Sequence, residues 1–381
     1  MVQVLTAHTR KQDPAAAVKE VHDQISHQTS SLVLFYCSSE MDLPALAQAF
    51  NDQFPGIRIA GCTSAGEMGP LGYIDHSLVV LSFPDELFAF SFSLLQDLSD
   101  LSMQEVHDRA QTAKQTLYQH HDASMLQQCF ALLLIDGLSL REEPVTRALF
   151  NSLQGIPLVG GSAGDNLHFQ RSQVFLDGQF HDDSAVLLLA GTPCPIRPFK
   201  SQHFEAGNQR MVVTRADEAT RRVLEINGLP AAPEYARMTG VDVDNLNPMR
   251  FATSPVVVLI NGKEYVRSIQ KANDDNSLTF YCAIEEGLVF RVAQGVDIYN
   301  NLLQTLEDET REVQPQVILA FDCVLRKLEV EQKALRPAFS ELLRRFRIVG
   351  FNSYGEQYHG IHVNQTFTAL LIGEPSAEEG R

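Results

Sequence analysis

The 381-residue sequence contains no tryptophan and only six cysteines, none of which forms a CxxC or CxxCH pair. Cysteines scattered in this way argue against a zinc cluster, a redox dithiol, c-type haem attachment and a disulfide framework. Long apolar runs are also missing, since stretches such as 131–135 and 256–260 are far too short to span a bilayer. The first ten residues hold no apolar signal core. We therefore expect a cytoplasmic protein without membrane insertion.

Positive charge is scarce as well. Lys and Arg number 30 against 47 Asp and Glu, which gives a formal net charge of −17. An acidic surface repels nucleic-acid phosphates and anionic lipid, so neither class of partner is expected. The length suggests two domains with sizeable buried cores.

Several catalytic and nucleotide-binding motifs are absent. The sequence has no Walker loop, no GxGxxG followed by a helix and no HExxH. Nucleotide binding and zinc-dependent hydrolysis therefore have no positive support.

The most informative feature that is present is a threefold internal repeat. Each copy has an opening strand, a helix, a glycine-rich box and a further strand. The opening strands are predicted at 32–39, 130–136 and 317–323, the helices at 42–53, 143–153 and 331–346, and the later strands at 76–83, 184–190 and 366–372. The boxes are Gly61-Cys-Thr-Ser-Ala-Gly-Glu67, Gly160-Gly-Ser-Ala-Gly-Asp165 and Gly350-Phe-Asn-Ser-Tyr-Gly-Glu356.

The repeat predicts an α/β fold, in which repeated strand-helix-strand-strand units form mixed sheets with helices packed outside, in two halves. Further helices are expected at 103–120, 216–227 and 297–311, and a hairpin is expected around Asn261-Gly262. Three prolines within 193–198 predict an irregular segment there, and hence a domain boundary.

The second box invites a catalytic interpretation. Gly160-x-Ser162-x-Gly164 matches the nucleophile elbow of hydrolases, and Asp177 and His181, or a later Asp and His, could complete a triad. However, no helical pattern follows Gly164, and the other two boxes break the spacing. A recurring structural turn, with glycines at positive φ and the acid accepting from turn N–H groups, explains three copies better than a catalytic serine does.

The boxes also supply candidates for a ligand pocket, because strand ends in α/β folds commonly line ligand sites. These candidates are Ser64, Gly66, Glu67, Ser162, Gly164, Asp165, Ser353, Gly355 and Glu356.

Histidines near the boxes are candidate metal or haem ligands. His181 precedes the strand after the second box, while His359 and His362 follow the third box. A hydrogen-bonded structural histidine remains the alternative for each. Cys194, between two prolines, offers a thiolate that could also hold haem, and its alternative is a linker cysteine.

The boxes, in their order, resemble the FIST family (F-box and intracellular signal transduction). The resemblance rests on residues 60–73, on 160–166 with Phe180-His181, on Asn227-Gly-Leu-Pro-Ala231 with Tyr235, and on 350–357 with Gly360-Ile-His-Val-Asn-Gln-Thr-Phe367. It runs from about residue 30 to 373. It implies an N-terminal FIST domain over 1–195 and a C-terminal FIST domain over 196–381.

The resemblance implies a non-enzymatic sensor of small molecules in signal transduction, with amino acids among the family's proposed ligands. Because the length leaves no room for an output domain, we expect a stand-alone sensor. Such FIST proteins are similar to nitric-oxide sensors that bind haem and control a partner histidine kinase. His181 and His362 are then the first candidates for the iron ligand, with His359 behind them.

The alternatives to the haem sensor are a haem-free sensor of an amino acid or other small metabolite, and a serine hydrolase that uses Ser162. Self-association into a homodimer is left open. Since CxxCH is absent, any haem would be held non-covalently.

Overall fold

Three six-stranded sheets of the same design make up most of the protein, in a computed structural model that describes residues 2–26, 28–260 and 262–375. Each sheet is built mainly by one unit, which has a strand, a helix, a strand, a crossover helix, a strand, a hairpin and a last strand. The first unit comprises β1 (Leu5–Thr9), α1 (Pro14–Ile25), β2 (Ser30–Ser38), α2 (Leu43–Gln53), β3 (Ile59–Ser64), β4 (Glu67–Gly69), β5 (Gly72–Ile74) and β6 (Leu78–Pro84). The second comprises β7 (Ala89–Leu95), α3 (Met103–His120), β8 (Gln128–Asp136), α4 (Glu142–Leu153), β9 (Leu158–Ala163), β10 (Val174–Leu176), β11 (Gln179–His181) and β12 (Ala185–Thr192).

The third unit is divided by a long insertion. It begins with β13 (Ile196–Gln202) and resumes at α7. The inserted elements are β14 (Phe204–Asp217), β15 (Arg222–Ile226), β16 (Leu229–Pro230), α5 (Ala231–Thr239), α6 (Pro248–Thr253), β17 (Val256–Ile260), β18 (Lys263–Arg267), β19 (Ile269–Ala272), β20 (Leu278–Phe280) and β21 (Val289–Gly295). The unit then continues with α7 (Ile298–Glu309), β22 (Pro315–Cys323), α8 (Val324–Gln332), α9 (Arg336–Arg345), β23 (Ile348–Ser353), β24 (Glu356–Tyr358), β25 (Ile361–Val363) and β26 (Thr366–Gly373). The inserted strands form a separate eight-stranded sheet.

Each unit pairs its two central strands in parallel, as a helical crossover requires. The parallel pairs are β2 with β3, β8 with β9 and β22 with β23. The last strand lies antiparallel on the other side of the opening strand, and the unit's first strand lies beyond it. This arrangement confirms the predicted α/β class with mixed sheets. The three units occupy separate sheets, a point that the repeat alone left open.

The hairpin after each box leaves its own unit and extends a neighbouring sheet. Hairpin β4–β5 pairs with β23 of the third unit, β10–β11 pairs with β3 of the first, and β24–β25 pairs with β9 of the second. The exchange is therefore cyclic. Each unit completes one neighbour and is completed by the other.

The main core lies between the three sheets and takes apolar side chains from all of them, among them Leu34, Leu132 and Leu319. Helices cover the outer faces, as predicted: α1 and α2 on the first sheet, α3 and α4 on the second, and α7 and α9 on the third. None of the described helices has the length and apolarity needed to cross a lipid bilayer.

The first glycine of each box marks a close approach between parallel strands. Gly61, Gly160 and Gly350 lie at corresponding register positions. A Cβ on these glycines would lie 2.5, 2.1 and 1.7 Å from a carbonyl oxygen of the neighbouring opening strand. The sequence interpretation that box glycines take positive φ is wrong for all three, since only Gly66 among the glycines within the boxes has one. Glycine is needed here because a side chain does not fit.

The predicted helix at 216–227 is wrong, because this segment contains the end of β14, a turn and β15. β15 pairs with β14 and β20, and its buried residues Val223 and Ile226 pack with residues of α5. The predicted helix at 331–346 is two helices, α8 and α9, which are separated by a turn at residues 333–335. The expected hairpin turn is at 261–262, and residue 261 lies outside the described residues.

The segment 193–198 is also more regular than predicted. Pro198 lies within β13, which pairs with β26 along its length. A proline is tolerated there because β13 is an edge strand, which has one side free of ladder hydrogen bonds.

We expect Gly350→Ala to destabilise the protein by more than about 3 kcal/mol, since the new methyl group would force two buried parallel strands apart. Gly228→Ala is the matched control, because a Cβ there has open space and meets only the cost of positive φ, about 1–2 kcal/mol. Urea unfolding of both variants measures the difference. Equal losses would contradict the close-approach explanation.

Candidate functional site

The three boxes come together where the hairpins cross between units. Backbone hydrogen bonds of 2.7–3.2 Å run from Ala65 N to Asn352 O, Asn352 N to Gly66 O, Gly164 N to Thr63 O, Ser162 N to Gly355 O and Tyr354 N to Ser162 O. The predicted pocket side chains Ser64, Glu67, Ser162, Asp165, Ser353 and Glu356 are all buried here. Their role in ligand binding stays a prediction.

The first and third boxes contain the same serine–glutamate pair. Ser64 Oγ donates to Glu67 Oε1 at 2.5 Å, and Ser353 Oγ donates to Glu356 Oε1 at 2.6 Å. The second carboxylate oxygen accepts from the residue before or at the start of the last strand, Ser77 in the first unit and Thr366 in the third. Burial raises the pKa of Glu67 to about 7 and that of Glu356 to about 8. Each glutamate thus ties its box to the unit's last strand.

The second box uses its acid differently. Asp165 accepts from the backbone N–H groups of Phe169, Gln170 and Arg171 at 2.6–2.9 Å, and from the hydroxyl of Tyr354. The loop that it holds contains non-glycine residues at positive φ, namely Asn166, Leu167 and Phe169. Backbone strain of this kind persists only where surrounding contacts fix it, and it concentrates at functional sites.

Ser162 is not placed as a nucleophile. Its hydroxyl is buried and accepts from Gln357 Nε2 at 2.9 Å. Asp177, one expected partner, forms an ion pair with Arg58. His181, the other, has its ring between Leu176 O and the Gln96 amide. The structure therefore does not assemble the predicted triad.

The three candidate histidines occupy different environments. His181 is buried, with both ring nitrogens within 3.5 Å of a polar neighbour. His359 is half-buried and packs against the rings of Phe150 and Tyr358. His362 is 1% exposed, its Nδ1 lies 3.3 Å from Gln357 Nε2, and its Nε2 has no hydrogen-bond partner among the described residues.

His362 belongs to a buried charged cluster that joins three parts of the fold. We call Glu142, Glu143, Arg221, Arg267 and His362 the junction cluster. The glutamates begin α4 of the second unit, the arginines come from the inserted sheet region, and His362 lies on hairpin β24–β25. Burial beside the two guanidinium groups lowers the pKa of His362 to about 4, so its ring is neutral at pH 7.

The two arginines of the cluster differ in their partners. Arg221 Nη2 donates to Glu142 Oε2 at 2.6 Å and to Glu143 Oε2 at 2.5 Å. Glu143 also accepts from Ala283 N at 2.6 Å. Arg267, which is 8% exposed, makes one hydrogen bond, from Nη1 to His362 O at 3.3 Å. No carboxylate of the described residues lies within 4 Å of it.

Unpaired buried polar atoms concentrate around this cluster. Many native proteins have a few such atoms, and a group of them in one place needs an explanation such as a bound ligand or water. Three of these atoms lie in the inserted sheet region, namely Arg267 Nε, Ser268 Oγ and Tyr281 OH. The others lie on the third unit's hairpin or just after it, namely Gln357 Oε1, His362 Nε2, both side-chain polar atoms of Asn364, and Gln365 Oε1.

A surface cleft of about 770 Å³ borders the cluster. Its walls come from the second unit (137–140 and 169–170) and from the inserted sheet (220–222, 270–275 and 279–281). The rings of Phe169, Tyr281 and Tyr354 pack together at this border, with centroids 5.0–6.1 Å apart. Arg221 and Tyr281 belong both to the cleft lining and to the buried region beneath it.

Five of the larger surface cavities have volumes of about 360–770 Å³, and His181, His359 and His362 line none of these five. Cys194, the remaining candidate, is buried and accepts from Gln316 Nε2 at 3.3 Å. Within the described part of the chain, no group of three His, Cys, Asp or Glu residues is arranged to hold a metal ion. None of these cavities therefore brings a candidate histidine beside a space for a porphyrin, and haem binding stays a prediction.

Sequence reasoning missed most of the junction cluster and the cleft. Arg221 lies in the segment that was wrongly predicted to be a helix. Glu142 and Glu143 indicate only the start of a helix, where acidic residues are common. One signal was available. Arg267 directly follows Tyr265 and Val266, and a charged residue next to apolar residues in a predicted strand is a weak indication of a buried charge.

Comparison with protein-family models assigns two domains to the chain. The family model described as FIST N domain matches residues 31–229, and the FIST C domain model matches residues 231–359. The chain belongs to the FIST family. No curated protein matches the chain significantly.

FIST domains are sensor domains that bind small ligands in signal transduction. The predicted domain limit at 195/196 lies between β12 and β13, and the two family models meet near residue 230. The limit stays a prediction. The cyclic hairpin exchange interlocks the parts of this FIST protein on either side of it.

We expect Glu356→Gln to flatten the pH dependence of stability. The pKa of Glu356 is about 8 in the native protein and near 4.5 in the unfolded chain, so the native state holds the extra proton between these values. Stability should fall as pH rises from about 4.5 to about 8, and the variant should lose this contribution. Melting temperatures at pH 5, 6, 7 and 8 measure it. Exposed Glu86→Gln is the control, and an unchanged slope in Glu356→Gln would contradict the assignment.

Proposed function

We propose that this FIST protein senses a small polar metabolite that enters the cleft between the second unit and the inserted sheet. The observation that carries the proposal is that the cleft is lined by Tyr281, whose hydroxyl is buried without a partner, and by Arg221 of the junction cluster. A cavity of several hundred cubic ångströms with convergent polar groups is typical of small-molecule sites.

The cleft is also suited to signalling. Its two walls belong to parts of the fold that are joined through the junction cluster, so a ligand that contacts both walls favours one relative arrangement of them. A ligand shifts a conformational equilibrium by its difference in affinity for the two states. A separate signalling protein could then bind one of the two arrangements more tightly than the other.

The strained loop at 165–171 offers one element that could move. Phe169 and Gln170 line the cleft, while Asp165 holds the loop from below through backbone N–H groups and Tyr354. Movement of Phe169 would open the border between the cleft and the buried polar groups.

A haem sensor of nitric oxide that controls a partner histidine kinase is our second proposal. It rests on the family resemblance and on one structural observation, the neutral His362 imidazole with an unpaired Nε2. Because His362 is 1% exposed and lines none of the five cavities, that function requires the region around His362 to open.

A thermal-shift panel of small metabolites tests the first proposal. A ligand that binds only the native state raises the melting temperature by an amount set by its concentration relative to its Kd. We expect at least one polar compound to stabilise the wild type and to lose its effect in Gln270→Trp, which fills the cleft. Gln209→Trp, an exposed change outside the cleft, should keep the response. A compound that stabilises both variants equally would place the ligand site elsewhere.

Titration with hemin separates the two proposals. A Soret band that shifts on addition of nitric oxide, and that disappears in His362→Ala but persists in His359→Ala, would favour the haem sensor. We expect no such band from the closed packing around His362. Calorimetry with the same preparations would show whether hemin competes with the metabolite.

A further inference from the structure

We infer that the ligand of this site is a small anion with a carboxylate group, which Arg267 binds in the buried region beneath the cleft. The inference rests on the proposed function, because it takes the cleft as the way in. It adds the chemical class of the ligand and the residue that recognises it.

The first argument is the contrast between the two buried arginines of the junction cluster. Arg221 is compensated by two carboxylates and a backbone carbonyl. Arg267 has a single carbonyl contact at 3.3 Å, and its Nε is buried without a partner. A buried charge without a counter-charge is costly, so such a group indicates a partner that arrives from outside.

The two carboxylates of the junction cluster direct their hydrogen bonds to Arg221 and not to Arg267. Both glutamates of the junction cluster bind Arg221, and Glu143 additionally accepts from Ala283 N. Burial raises the pKa of Glu142, whereas the neighbouring positive groups, Arg221 and Arg267 among them, lower the pKa of Glu143 against the cost of its burial. Glu143 therefore stays ionised and acts on Arg267 without forming an ion pair with it. His362 is neutral and cannot serve as a counter-ion for Arg267.

The second argument is the group of donors and acceptors beside Arg267. Asn364 is fully buried, and neither of its side-chain polar atoms has a partner. A Cβ added at Gly355 would lie 2.6 Å from His362 Nε2 and 2.9 Å from Asn364 Nδ2. His362 and Asn364 therefore pack directly against the backbone of Gly355, where even a methyl group would clash, and the backbone of His362 links them to Arg267.

A carboxylate matches this set of groups. Its two oxygens accept charge-assisted hydrogen bonds from a guanidinium and an amide N–H, and arginine is the side chain best shaped for a planar oxyanion. A neutral ligand would satisfy hydrogen bonds but leave Arg267 without a directly bonded counter-ion. The acceptors Gln357 Oε1 and Asn364 Oδ1 remain available for a donor elsewhere on the ligand.

The first test needs no ligand. Arg267→Met keeps most of the side-chain volume and removes the unpaired charge, so we expect it to raise the melting temperature of the ligand-free protein by about 2–4 °C. Arg221→Met is the matched control. It should lower the melting temperature, because it leaves two buried carboxylates without their partner. A loss in Arg267→Met similar to that in Arg221→Met would assign Arg267 a structural role and overturn the inference.

The second test uses acid–amide pairs as probes. We expect acetate and succinate to stabilise the wild type, relative to chloride at equal ionic strength, while acetamide and succinamide do not. The response should disappear in Arg267→Met and in Gln270→Trp and persist in Gln209→Trp. Arg222→Gln, which removes a partly exposed arginine of the cleft lining, should retain it.

The outcomes separate this inference from the proposed function. If amides act as strongly as acids, or if only a neutral compound responds to Gln270→Trp, the carboxylate assignment is wrong and the cleft remains the ligand site. If the acids stabilise Arg267→Met as much as the wild type, Arg267 is not the recognising residue. If every stabilising compound ignores Gln270→Trp, the proposed function fails together with the inference.

Discussion

The structure depends on the cyclic exchange of three hairpins. Each hairpin adds its backbone hydrogen bonds to the box strand of another unit, so none of the three sheets is complete without a neighbour. The exchange brings all three boxes into contact and surrounds a common core with three sheets. Because of the exchange, strands from the N-terminal and C-terminal FIST regions pair within the same sheets.

The exchange places two demands on the boxes. The box strand must approach its parallel neighbour closely, which selects glycine at Gly61, Gly160 and Gly350. The chain must then turn away toward another unit, and the glutamates of the first and third boxes fix this departure by binding the last strand. The second unit has Val174 at the corresponding register position and instead uses Asp165 to hold an extra loop. Phe169 and Gln170 of that loop form part of one wall of the cleft. The site therefore arises where the repeat is broken.

Much of the fold could be predicted from the sequence, because the repeat is visible in local patterns. The strands and crossover helices of the units have apolar runs and one-sided apolar faces, and these place elements such as α3 and β22 close to their observed bounds. The failures have physical causes. The 216–227 segment was assigned to a helix although its buried residues pack as a strand against α5. Pro198 was taken as a breaker because the sequence does not say that β13 is an edge strand. The short hairpins were missed because their partners lie far away in the chain.

The sequence by itself determined the fold class, the three boxes, the acidic charge and the family, since these follow from composition and from patterns within about sixty residues. Only the tertiary structure decided how the boxes meet, because strand exchange joins segments that local patterns cannot relate. It also decided that Ser162 is a buried hydrogen-bond acceptor. The contrast between Arg221 and Arg267 came from tertiary structure as well, because the cost of a buried charge depends on which carboxylates the fold brings within reach.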